Sequence, residues 1–167
     1  NRIKASINFY IDVDEAELIA YLIRDGSIFS WGAEEKEAAA EKGSKYPGHV
    51  YSIMGGTSQE RSKRTDGKAE SRVFKITPGN KVAWILSAEK GPGKVSDTGL
   101  ISPAYSKPDS IVRIPLGDLD LIRFALALER AVRILAAHLS DMGSNNGEVT
   151  SPQPCCLKMS RMSTARL

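Results

Sequence analysis

Four cations fall within eight residues at Arg61, Lys63, Arg64 and Lys68, inside a longer stretch from Glu60 to Lys94 that holds nine basic residues against four acids. Tyr51, Phe74, Trp84 and Tyr105 lie in or near that stretch. Cations that track phosphates and rings that stack on bases are what a single-stranded nucleic-acid surface requires. A plainer account also fits. Phe74 and Trp84 alternate with more polar neighbours and are expected on the inward side of a hairpin, with the nearby lysines solvating the other side. The loop cations stay open between solvation and phosphate contact. Because the segment from Asp12 to Glu41 is acidic, a net charge of only +3 conceals an electrically uneven chain.

Other constellations are weaker. Gly91-Pro92-Gly93-Lys94-Val95-Ser96 suggests a phosphate cradle, but Ala88 stands where the first glycine of such a loop belongs and Val95 where its hydroxyl belongs. A glycine- and proline-rich turn is expected there instead. Asp12, Asp14 and Glu15, and likewise Asp118 and Asp120, could hold a hard cation, yet capping of a following helix explains them without one. His49 and His138 have no serine or cysteine nucleophile to pair with, and His138 reads as a helix residue near a C-terminus. Cys155 and Cys156 are adjacent in a polar stretch, so neither a disulfide framework nor a structural zinc site is indicated. The expectation is no metal, no cofactor and no enzymatic role.

The elements that would position the cations follow from periodicity. Ile3, Ala5, Ile7, Phe9 and Ile11 alternate as a half-buried strand does. A helix over Glu15 to Arg24, with Leu18, Ile19, Leu22 and Ile23 inward, should end at Gly26, and Ala33 to Lys42 should form a solvated helix stopped by Gly43. Val50 to Met54 is a candidate strand and Thr57 to Glu70 an exposed loop. Ser71 to Thr77 and Lys81 to Ala88 should form a hairpin about Thr77-Pro78-Gly79-Asn80, with glycine supplying a positive φ. Ile111 to Leu116 should be a strand with Val112 and Ile114 inward and Arg113 outward.

A long helix then carries Leu121, Ala125, Leu128, Val132, Leu135, Leu139 and Met142 as one seam, with Phe124, Ala127, Ala131 and Ile134 beside it. One sheet face would struggle to cover both lines. The expectation is therefore a homodimer whose interface includes Leu121, Ala125, Leu128, Val132, Leu135 and Leu139. Residues 144–167 turn to Ser, Asn, Gly, Pro and Thr and are expected to be a disordered tail after a single domain over 1–143. The fold class is α+β: an antiparallel sheet packed against a long C-terminal helix, with an N-terminal strand-helix unit.

The 167 residues suit one core, no run is apolar enough to span a bilayer, and a cytoplasmic setting is expected.

From Val50 onward, four strands and then one long helix, with basic residues on loops and the outer sheet face, resemble the Whirly-like single-stranded nucleic-acid-binding fold, which is shared with certain transcriptional coactivators. The resemblance is topological and covers about half the chain. It implies binding of single-stranded DNA or RNA on a sheet surface and association through helices. On that likeness Lys63, Arg64, Lys68, Arg72, Lys75 and Arg113 would contact phosphates, and Tyr51 or Tyr105 would stack on bases. The alternative is a structural or adaptor protein, of viral origin for example, that assembles through its C-terminal helix and has no nucleic-acid role. A small enzyme would instead need a deep pocket holding Asp12, Asp14 or His49.

Overall fold

A computed structural model describes residues 3–143 and 155–162, with side chains described from Ser6 to His138. In β1 (Ile3–Ile11) the alternation buries Ile7, Phe9 and Ile11 and leaves Ser6, Asn8 and Tyr10 exposed. Asp12 holds the cap position of α1 (Val13–Arg24), and its carbonyl accepts the Ala16 amide at 3.0 Å. Its carboxylate makes no capping bond, so Asp14 and Glu15 supply the negative charge of the first turn. Gly26, at φ +92°, ends α1 in a conformation that favours glycine and leads directly into α2 (Ser27–Glu41). The solvated helix expected over 33–42 is thus the later part of a longer one, whose first turn buries Ile28. Gly43, at φ +62°, follows its end as expected.

Five strands form one antiparallel sheet: β2 (Tyr51–Thr57), β3 (Ala69–Pro78), β4 (Trp84–Val95), β5 (Ile101–Pro103) and β6 (Ser110–Leu116). β2 lies outermost, then β3, then the twelve-residue β4, whose far edge is shared by β6 along Trp84 to Lys90 and by β5 along Gly93 to Val95. The turn between β3 and β4 differs from expectation. Gly79 has no positive φ, and the loop runs from Gly79 to Ala83, closed by the Gly79 amide on the Ala83 carbonyl at 2.9 Å. Glycine is needed here for approach, since a Cβ would come within 2.5 Å of the Val82 carbonyl oxygen. Gly91-Pro92-Gly93 is not a turn but part of β4, paired with Ser71, Glu70 and Ala69.

One sheet face is the core. Phe74 and Ile76 on β3, Trp84, Leu86 and Ala88 on β4 and Val112 on β6 are buried there with the inward residues of β1, α1 and α3 (Asp118–Gly143). The rings of Phe9 and Phe124 flank Phe74, at centroid distances of 6.1 and 6.4 Å. Trp84 packs edge-on to Phe29 at 5.5 Å and rests on Gly32 of α2, where a Cβ would collide with the indole.

The α3 seam belongs to this core. Leu121, Ala125, Leu128 and Val132 are buried within the chain itself and Leu135 is half-buried, while the side chains of Leu139 and Met142 lie outside those described. α1 supplies further cover for the seam: it packs along α3, and Arg24 reaches Glu129 at 2.7 Å, while Ala127 and Ile134 of the second line stay exposed. For Leu121, Ala125, Leu128 and Val132 the expected dimer interface is therefore corrected, because these four side chains are already enclosed by their own chain.

The expected tail is corrected in part. Residues 155–162 form β7 (Cys155–Met162), paired antiparallel with β1 from Ile3↔Met162 to Ile11↔Cys155. The rest of the expected tail, 144–154 and 163–167, lies outside the described residues. The chain is α+β, and no helix among the described residues is long and apolar enough to cross a membrane.

Candidate nucleic-acid interface

Opposite the core, the sheet presents a second face built by strand register. Ser52 pairs with Lys75, Lys75 with Ser87 and Ser87 with Arg113, so β2, β3, β4 and β6 each contribute one residue to a single row. Directly opposed residues in antiparallel strands lie about 5 Å apart, so hydroxyls and cations alternate across the sheet at that spacing. Ser87 forms the buried floor, Lys75 and Ser52 are half-buried, and Arg113 is exposed. The next row, Met54, Val73, Glu89 and Ile111, places one carboxylate beside the cations. Glu89 holds Lys75 with both oxygens, each 2.9 Å from Nζ.

The segment after β5 crosses the far end of this face as a strap. Its Ala104 amide bonds to the Pro92 carbonyl at 2.9 Å, and Asp109 is tied to Arg64 at 2.5 Å. The Tyr105 ring lies on Gly91, where a Cβ would come within 2.6 Å of the ring, and Ile101 lies on Gly93 in the same way. These two contacts explain why glycine interrupts a strand. The Tyr105 hydroxyl is buried without a hydrogen bond of standard geometry, and burial, followed by the Glu89 carboxylate, pushes its pKa up to about 12. Between strap and row lies a concavity of about 580 Å³, lined by His49, Lys107 and Tyr105 as well as by Lys75, Glu89 and Arg113. Its three permanent cations exceed its one carboxylate.

The expected phosphate contacts divide. Lys75 and Arg113 are brought together on this face. Arg72 points to the core side and closes its end, bonded at 2.6 Å to the buried Glu70, which Lys90 also holds at 3.0 Å. Burial works to raise the Glu70 pKa, but the bonds from Lys90 and Arg72 outweigh it and hold the carboxyl below its ordinary value. Arg64 is engaged by Asp66 and Asp109; its two bonds hold Asp66 down at about 2. Lys63 and Lys68 are exposed on the loop between β2 and β3 and do not line the concavity.

Tyr51 is placed away from any outer ligand. It sits on the core side, where its hydroxyl donates to Glu15 at 2.5 Å, and burial together with that carboxylate raises its pKa. Tyr105 is on the outer face, although one side of its ring is taken by Gly91. Trp84 lies on the opposite side of the sheet from Lys75 and Arg113.

Sequence reasoning missed Ser52 and Lys107; it set Ser87 outward with Lys75 without making it a contact, and weighed His49 only for an enzyme. Only the register of four strands aligns the two serines with the cations, and a loop that looks featureless brings Lys107 over them. The spacing around Asp12, Asp14 and His49 does not build a pocket: His49 stands at the outer face, and among the described residues no group of three potential ligands could hold a metal ion. No family model, curated protein or solved structure matches this chain.

Proposed function

We propose that the protein binds single-stranded nucleic acid across the outer face of its sheet. The observation that carries this reading is the Ser52, Lys75, Ser87, Arg113 row, in which hydroxyls alternate with cations on the sheet face opposite the core, beside the end that β5 and the strap cover. A phosphodiester chain laid across the strands meets a donor or a cation at each step, and bases would lie toward the concavity beside Tyr105. Lys75 is shared with Glu89, so Arg113 and Lys107 are the freer charges. This interface is smaller than the one expected from sequence, because Arg64 and Arg72 are held by the protein's own carboxylates.

Fluorescence anisotropy with labelled DNA and RNA oligonucleotides at two salt concentrations tests the proposal. Affinity should fall as salt rises, with a slope of about 0.7 per phosphate contacted. Absence of binding at low salt removes the reading.

A second reading, an adaptor that docks another protein, is favoured by one observation. Leu119, Leu126 and Ile134 of α3 are exposed on the side away from the buried seam. Capture of protein partners that survives nuclease treatment and is lost on Leu126→Lys would support it.

A further inference from the structure

β2 is the outermost strand beside β3; β5 packs against its C-terminal end, where Ile101 lies over Gly56, but no described strand pairs with its other side. None of its seven residues is buried, whereas seven of the ten in β3 are. Proteins ordinarily guard such an edge with charge or proline. β6, at the other border of the sheet, carries both in Arg113 and Pro115; β2, Tyr-Ser-Ile-Met-Gly-Gly-Thr, carries neither.

We propose that the occupant of this edge is a second copy of the same chain, with two β2 strands running antiparallel about a two-fold axis through Met54. The register is sterically self-complementary. Met54 meets the partner's Met54, Ile53 meets the partner's Gly55, Ser52 meets the partner's Gly56, and Tyr51 meets the partner's Thr57. Each larger side chain away from the axis faces a smaller one, and both members of every pair project from the same sheet face, as antiparallel pairing requires. The charge argument points the same way. Self-pairing of β2 opposes no like charges, since none of its seven residues is ionisable at neutral pH. A two-fold contact of this kind closes on itself and stops at the dimer. It joins the two sheets into one of ten strands and places the two Ser52 to Arg113 rows on the same side of it, offset by four residues.

Sedimentation of nuclease-treated protein at tens of micromolar should give twice the chain mass of 18.1 kDa. Met54 is half-exposed, so Met54→Lys should leave the circular dichroism of the monomer unchanged while placing two ammonium groups opposite each other, weakening dimerisation by more than about tenfold. Met54→Glu should do the same, and an equimolar mixture of the two variants should return to the dimer mass. A wild-type monomer, a dimer unaffected by either substitution, or a mixture that stays monomeric would each overturn the proposal.

Discussion

The Trp84 indole Nε1 donates a 2.8 Å hydrogen bond to Asp118 Oδ1, linking the first residue of β4 to the first residue of α3. The acid expected only to complement the helix end thus also satisfies the one polar atom of a buried ring, and Asp120 reaches back to the Gly117 amide at 3.4 Å. Asp118→Ala should lower the unfolding free energy by about 1 kcal/mol, read from the urea midpoint at constant slope, and Asp118→Asn by less, because it keeps an acceptor. Equal losses would mean that the hydrogen bond contributes nothing.

Gly32→Ala sets two effects against each other. Alanine is the better helix former by about 1 kcal/mol, but its Cβ would enter the Trp84 ring, and overpacking of this kind costs about 1–3 kcal/mol. Net destabilisation and a changed tryptophan emission spectrum are expected. A stabilised variant would show that Trp84 does not rest on Gly32.

Leu128→Ala should destabilise the fold by about 2–5 kcal/mol in denaturant unfolding, because the side chain is buried against its own chain. Its sedimentation behaviour should match that of the wild type at concentrations where both are folded. Loss of assembly without loss of stability would return the seam to an interface.

Glu70 predicts a pH dependence. Its folded-state pKa lies below the ordinary value of 4.5, so the unfolded state takes up the proton first as pH falls. The stabilisation it contributes is present above 4.5 and is lost below it, as pH falls through the folded-state value. Glu70→Gln should be less stable than wild type at pH 7 and should lose less of its stability between pH 7 and about 3. Parallel curves for the two proteins would refute the role assigned to the Arg72, Glu70, Lys90 cluster.

For nucleic-acid binding the decisive contrast is Arg113→Ala against Arg72→Ala. Removing Arg113 should weaken binding of a labelled single strand at low salt and reduce the salt slope by about 0.7, whereas removing Arg72 should leave the slope unchanged. Glu89→Gln, which frees Lys75, should tighten binding. If Arg72 and Arg113 matter equally, the outer face is not the site.

Much of the architecture was legible because it rests on local periodicity. The inward sides of β1, β3, β4 and β6, and the stops at Gly26 and Gly43, follow from alternation and from the conformational freedom of glycine; in α1 Ile19 and Ile23 are inward as expected, but Leu18 is exposed and Ala16 and Ala20 complete the buried stripe instead. The hairpin shows where local reading ends. A four-residue turn at 77–80 would pair Thr77 with Asn80 and set Phe74 opposite Ala83, yet burial of Phe74, Ile76, Trp84 and Leu86 together demands that even-numbered residues face even-numbered ones. The chain meets that demand with the wider loop at 79–83, which places Phe74 opposite Ala88 and Lys75 opposite Ser87.

The sequence by itself determined which residues are apolar at which period, and therefore the α+β class and the inward sides of its elements. Only the tertiary structure decided which cations are free. Arg64 and Arg72 are neutralised by carboxylates that the fold carries to them, and the α3 seam is covered by a helix about 100 residues earlier in the chain. The reason is physical: burial periodicity is written within single elements, whereas charge pairing, strand register and helix cover depend on which distant elements come together.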